Sequence, residues 1–180
     1  PGAKEVALPP KSTTAGWRLG QPDLILTIPA AEIPANGVLQ YTFLASQLNF
    51  GEDHWIAAAE WRIDKTEVVP NINAFVRPPG SSYVREAPYG KLYVASRSER
   101  AARRADEREI DRRELLLGYE PGYIPQPWGN GRAKLIRAGS DMVFEIHYTA
   151  AGKAVRDSSQ LALYFAKTPP RERVLTISPA

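Results

Sequence analysis

Only two imidazoles, His54 and His147, occur in this 180-residue chain, and there is no cysteine. Thiol catalysis, disulfides and cysteine-ligated zinc or iron–sulfur clusters are therefore excluded. Any metal or acid–base chemistry at an imidazole must use His54, His147 or both. Around His147, Met142, Phe144 and Ile146 alternate with Val143, Glu145 and His147. This period of two predicts a strand over residues 142–149, closed by a turn at Ala151-Gly152. A strand holds an imidazole rigidly, as a metal ligand requires. The plainer alternative is a surface histidine or a hydrogen-bonded core one. The same alternation puts Met142 on the face opposite His147, which argues against a shared site. His54, in Glu52-Asp53-His54-Trp55, is expected at the start of a strand or, more plainly, in a solvated turn. A site built from His54 and His147 would still need a carboxylate such as Glu145.

Other chemistries have weaker sequence support. Ser158 and Ser159 lie beside Asp157, but no nucleophile-elbow pattern surrounds them. No glycine-rich phosphate cradle precedes a helix. Nothing singles out two of the 20 acidic residues as a glycosidase pair. Tyr119, Tyr123 and Trp128 fall in a stretch dense in proline and glycine. Their rings can stack on a sugar, a peptide or another domain, or can simply lock a long crossover loop. Net charge is +3, with basic and acidic residues interleaved, so no nucleic-acid partner is expected. No apolar run approaches the roughly 20 residues of a membrane span. The chain begins at Pro1 without a basic or apolar leader, and it is expected to be a fragment or a processed piece of a longer polypeptide.

Several elements must position these residues. Residues 1–16, rich in Pro, Ser, Thr, Gly and Ala, read as a linker or extended arm, and residues 17–180 as one domain. Short strands are expected at 24–28, 38–44, 54–63, 67–76, 91–95, 133–136, 142–149, 161–166 and 173–177. Turns are expected at Pro29, at Asn36-Gly37, at Pro78-Pro79-Gly80 and at 138–140. Pro70 interrupts the strand at 67–76 and implies an edge, a bulge or a break. Residues 96–117 differ from the rest: seven arginines (97, 100, 103, 104, 108, 112, 113) alternate with six acids (99, 106, 107, 109, 111, 114). Opposite charges three or four apart predict a solvated helix with an apolar end at Ile110 and Leu115 to Leu117. An arginine helix for RNA is the sharper reading, and the interleaved acids argue against it. The expected architecture is an antiparallel β-sandwich or jelly roll with one charged helical insertion.

The order of Glu52-Asp53-His54-Trp55-Ile56, Val68-Val69-Pro70-Asn71-Ile72-Asn73-Ala74-Phe75-Val76-Arg77-Pro78-Pro79-Gly80-Ser81, Gly118-Tyr119-Glu120-Pro121-Gly122 and His147-Tyr148-Thr149 resembles one known family. It is similar to the amino-terminal domain of copper type II, ascorbate-dependent monooxygenases, the peptidylglycine and dopamine hydroxylating class. The bacterial branch, with thioredoxin-like or cytochrome c domains in one exported polypeptide, is the nearest likeness. The resemblance spans about residues 17–166 and leaves out the 96–117 segment. It implies a jelly-roll fold, and a copper held by an adjacent histidine pair and a third histidine in a His-Tyr motif. The third ligand maps to His147, but the pair maps to Pro70 and Asn71. Proline has no ligating side chain, and an amide oxygen is a poor copper ligand. The resemblance so altered implies a degenerate, non-catalytic structural or interaction module. Such a module would bind no cofactor, would have other domains or subunits as partners, and would lie outside the cytoplasm. The alternatives are a copper-dependent oxidoreductase with a residual site at His147, and a carbohydrate-binding sandwich using Tyr119, Tyr123 and Trp128.

Overall fold

The computed structural model describes residues 16–96, 98 and 114–176. The described residues form twelve strands: β1 (Leu24–Thr27), β2 (Ala31–Ile33), β3 (Thr42–Gln47), β4 (His54–Arg62), β5 (Asn71–Arg77), β6 (Leu92–Val94), β7 (Glu114–Tyr119), β8 (Arg132–Ile136), β9 (Asp141–His147), β10 (Val155–Asp157), β11 (Gln160–Phe165) and β12 (Glu172–Arg173). One five-stranded sheet has the order β1-β11-β4-β8-β12, and a second has the order β6-β3-β9-β5-β7. A two-stranded ribbon pairs β10 with β2. All strand pairs are antiparallel except the two-residue parallel pair of β12 with β8. The described residues are thus nearly all-β, as the alternating segments predicted.

The inner faces of the two large sheets share one core. Ile56, Ala59, Trp61, Ile136, Leu161 and Leu163 from the first sheet join Leu44, Ile72, Ala74, Val76, Met142, Phe144 and Ile146 from the second. Trp61 meets Phe144 edge to face at 5.7 Å between ring centres, which locks the sheets together. Strand β9 lies between β3 and β5 and supplies Met142, Phe144 and Ile146, all fully buried. Each such side chain contributes about 1.5–3 kcal/mol of burial.

Two bulges adjust the alternation. Tyr164 pairs with Ala58 and Phe165 with Ile56, so Ala57 is the extra residue and Ile56, Ala59 and Trp61 all reach the core. Ala74 pairs with Leu117 and Phe75 with Leu115, so Leu116 is extra in β7 and is itself buried.

The structure corrects several expectations. Residues 97 and 99–113, most of the expected helix, lie outside the described residues. Its expected C-terminal end, residues 114–117, is not helical. It opens strand β7, which pairs with β5, buries Leu116 and leaves Leu115 and Leu117 half-buried. Tyr119 ends that strand and does not belong to a loop. Pro70 precedes β5 and does not interrupt it, so the missing N–H falls where the ladder has not begun. Strand β3 starts at Thr42, after the exposed residues 36–38. The expected linker ends at Trp17, which is buried on the outer face of the first sheet with Ala58, Ala162 and Tyr164. The Glu60 carboxylate fixes that lead-in, accepting from the Arg18 and Leu19 amides at 2.7 and 3.0 Å and from the Tyr164 hydroxyl at 3.1 Å.

One end of the second sheet's outer face is covered by the segment around residues 83–87 that leads to β6, together with Ala95. Val84, Ala87 and Ala95 pack there on Phe43, Ala45 and Val143. Arg77 fastens this cover. Its Nη1 donates to the carbonyls of Tyr83 and Val84 at 2.9 and 3.1 Å. Its Nη2 donates to the Tyr89 hydroxyl at 3.1 Å and to Asp141 Oδ2 at 2.9 Å. Val84 has φ of 51°, an outlier for a β-branched residue, costing about 1–3 kcal/mol. The buried guanidinium holds it there through the two carbonyls. Arg77→Met should lower unfolding stability by about 3 kcal/mol, because Asp141 loses its ion pair and keeps only the Tyr89 hydroxyl, and both carbonyls lose the guanidinium. Asp141→Asn added to Arg77→Met should cost much less than Asp141→Asn alone. Chemical denaturation of the three variants measures both effects, and an additive pair would contradict the clamp.

Candidate functional site

The β5–β9 register places Asn71 directly opposite His147 and Asn73 directly opposite Glu145. All four are partly exposed, on the sheet face away from the core. The His147 ring stacks on Tyr41 at 4.7 Å between centres and 29° between planes. Asn73 Nδ2 donates to Asn71 Oδ1 at 3.2 Å, and Asn71 Nδ2 donates to the Tyr119 carbonyl at 3.3 Å. Glu145 Oε2 accepts from the Tyr83 hydroxyl at 3.2 Å. The face therefore carries an imidazole, a carboxylate and two amides linked to each other and to β7. Asn71-Ile72-Asn73 alternates in the sequence, so the shared face of the two amides was legible there. Their bonding to β7 was not, because β7 itself was read otherwise.

Gly118 is part of this ladder. It pairs with Asn73, and a Cβ built on it would lie 2.9 Å from Asn73 Oδ1. A side chain here would have to displace the Asn73 amide, which crosses over the neighbouring backbone.

The remaining candidates are placed as follows. Met142 is fully buried in the core, on the face opposite His147, as expected. His54 pairs with Ile136 before the β8–β9 turn, whereas His147 ends β9, which starts at Asp141 after that turn. At the rise of a strand, β9 alone separates the two ends by on the order of 20 Å. His54 and His147 therefore cannot share a metal. Ser159 Oγ donates to Asp157 at 3.1 Å, and Asp157 also accepts from the Tyr148 hydroxyl at 3.2 Å and the Lys65 amide at 3.0 Å. Ser158 Oγ donates to the Ile28 carbonyl at 2.9 Å. Both hydroxyls are thus used as fasteners and neither faces an imidazole. Burial raises the Asp157 carboxyl above the usual range, opposed by its hydrogen bonds from Lys65, Ser159 and Tyr148.

Tyr119, Tyr123 and Trp128 do come together, but at the seam between the sheets. Tyr119 is buried and meets Tyr123 edge to face at 6.1 Å. The Tyr123 hydroxyl donates to the Ala59 carbonyl at 3.4 Å, and the Trp128 amide donates to the carbonyl of the bulge residue Ala57 at 3.3 Å. Burial, and then the charge of Glu60, pushes the Tyr123 phenol well above its usual range. These rings lock the crossover loop onto the core.

Beside them lies Lys134, which is 2% exposed and which sequence reading passed over inside an unremarkable strand. Its Nζ donates to the Leu115 carbonyl and to the Thr176 hydroxyl, and stands 5.6 Å from the centre of the Trp128 ring. Desolvation lowers its pKa from 10.5 to about 8, against the pull of Glu114. Glu114 in turn accepts from Arg173 Nη2 at 2.8 Å.

No protein-family model matches the sequence, and neither does any curated protein. Among the described residues, no group of three His, Cys, Asp or Glu side chains is arranged to hold a metal ion.

Two predictions test this geometry. Gly118→Ala should destabilise the domain by about 1 kcal/mol by displacing the Asn73 amide from Asn71. In an Asn73→Ala background the same substitution should cost clearly less, and thermal unfolding of the double-mutant set reads the coupling. Lys134 gives a pH signature. Its folded pKa lies below the unfolded value, so between them the unfolded chain binds more protons and stability rises with pH. From about pH 8 to 9.5, below tyrosine titration, the rise should reach about 2 kcal/mol. Lys134→Met should remove that slope in denaturant titrations, and an unchanged slope would contradict the assignment.

Proposed function

We propose that this domain is a degenerate relative of the copper type II, ascorbate-dependent monooxygenases that has become a non-catalytic structural or interaction module. The observation that carries the reading is the pairing of Asn71 with His147. The motif resemblance would put two of the copper ligands at Pro70 and Asn71 and the third at His147. The strand register sets the second and third of these positions opposite each other. The Asn71 side chain is engaged elsewhere. Asn71 has its amide nitrogen on the Tyr119 carbonyl and its oxygen on Asn73. The chain's one other histidine, His54, is at the opposite end of the sandwich. A copper held by three imidazoles therefore cannot form from this chain's own residues. One imidazole with an occupied amide offers a far weaker site. The finer fold reading, a jelly roll, belongs to the same proposal. So does a place in an extracytoplasmic polypeptide or complex beside thioredoxin-like or cytochrome c domains.

The runner-up is a residual copper-dependent oxidoreductase. It is favoured by Glu145, which shares the outer face with His147 two residues away and could add a carboxylate ligand.

Copper titration separates the two. Under the non-catalytic reading, Cu(II) leaves the thermal midpoint of the wild-type domain unchanged. The double variant Pro70→His with Asn71→His should regain a copper-dependent rise, about 2.7 kcal/mol at a hundredfold excess over Kd. A rise in the wild type that His147→Ala abolishes would overturn the reading in favour of the oxidoreductase.

A further inference from the structure

His54 borders a cavity of about 350 Å³ at the other end of the sandwich, lined in part by Glu52, Asp53, Trp55, Phe165 and Lys167. The imidazole is fixed from three sides. Phe50 stacks on it in parallel at 4.1 Å between centres, and Phe165 meets it edge on at 4.9 Å. Its Nδ1 is 3.0 Å from the Glu52 carbonyl. That hydrogen bond requires the proton on Nδ1, so the neutral ring keeps Nε2 as an acceptor. An imidazole so restrained gives up rotameric freedom before any ligand arrives, which is preorganisation.

The charges around the cavity do not balance. Lys167 is bound to Asp23, which also accepts from the Phe165 amide at 2.7 Å. Asp53 uses Oδ1 on the Ala138 amide at 2.8 Å, and Glu52 is exposed. Glu52 and Asp53 thus line the cavity while its one lining ammonium, Lys167, is neutralised by Asp23 outside the lining, which leaves a formal excess of two negative charges beside the aromatic side chains of Trp55 and Phe165. Carboxylates with aromatic rings form the chemistry that attracts an organic cation, through Coulomb attraction and the ring quadrupole. A bare metal ion is a poorer fit, since no three suitable ligands converge among the described residues. A neutral apolar ligand would desolvate the carboxylates without compensation.

We propose that the cavity beside His54 binds a small organic ammonium ion. This inference is independent of the reading of the His147 face.

The test uses tetramethylammonium chloride as the probe, sodium chloride at equal ionic strength as the control, and tert-butanol as a neutral molecule of similar shape. The indole N–H resonance of Trp55, assigned by its loss in Trp55→Phe, reports occupancy. Tetramethylammonium should move that resonance saturably while sodium chloride does not, and tert-butanol should bind more weakly. Glu52→Gln should raise the Kd for tetramethylammonium roughly three- to tenfold. Glu52 is exposed and contributes its backbone carbonyl to His54, so the substitution leaves the fold and the imidazole bond in place. A non-saturable response, equal binding of tert-butanol, or an unchanged Kd in Glu52→Gln would each overturn the proposal.

Discussion

The structure depends on the seven-residue pairing of β5 with β9. This register sends Ile72, Ala74 and Val76 of β5, with Met142, Phe144 and Ile146 of β9, into the core. The same register leaves Asn71, Asn73, Glu145 and His147 on the outer face. A slip of one residue would turn one strand over and bury either Asn71 and Asn73 or Glu145 and His147 without partners. The hydrophobic side of the sheet thus fixes the chemistry of the other side. The face around His147 needs no further device to bring its groups together.

Charged residues with little or no exposure are used at the seams of the sandwich and not in its centre. Glu60 holds the lead-in at Trp17, Arg77 the cover over the second sheet, Asp157 the loop at Lys65, and Lys134 the segment after β12. In each case one side chain satisfies several backbone or hydroxyl groups of a segment that has few ladder bonds of its own. Removing one such group would leave several partners unmet, so the loops depend on single residues more than the strands do. The aromatic loop follows the same logic, since Tyr123 and Trp128 bond to carbonyls at the β4 bulge and its neighbourhood.

The sequence revealed the fold where alternation was long and regular. Residues 142–149 and 161–166 announced β9 and β11 almost to the residue, because one face of each is continuous core. It failed at the Leu116 bulge, which breaks the period of two, so that Leu115-Leu116-Leu117 after a charged run looks like the end of a helix. The Ala57 bulge left the strand expected at 54–63 legible as β4. Strands β2, β10 and β12 are two or three residues long and carry no periodic signal at all. On the site, Pro70 and Asn71 were legible as a departure from a motif, and the register adds that Asn71 faces His147. The Asn73–Gly118 contact, the Lys134 seam and the cavity at His54 depend on pairings far apart in sequence. Local patterns carry no trace of them.

We propose that the His147 face, with its hydrogen-bonded Asn71 and Asn73 amides and its imidazole stacked on Tyr41, is not a metal centre. Crystals grown with Cu(II) and measured at the copper absorption edge address this atom by atom. No anomalous peak is expected within about 2.0–2.2 Å of either His147 ring nitrogen, and Asn71 should remain hydrogen-bonded to Asn73 and to the Tyr119 carbonyl. A copper peak bonded to His147 and to Glu145 or Asn71 of the same chain would contradict it.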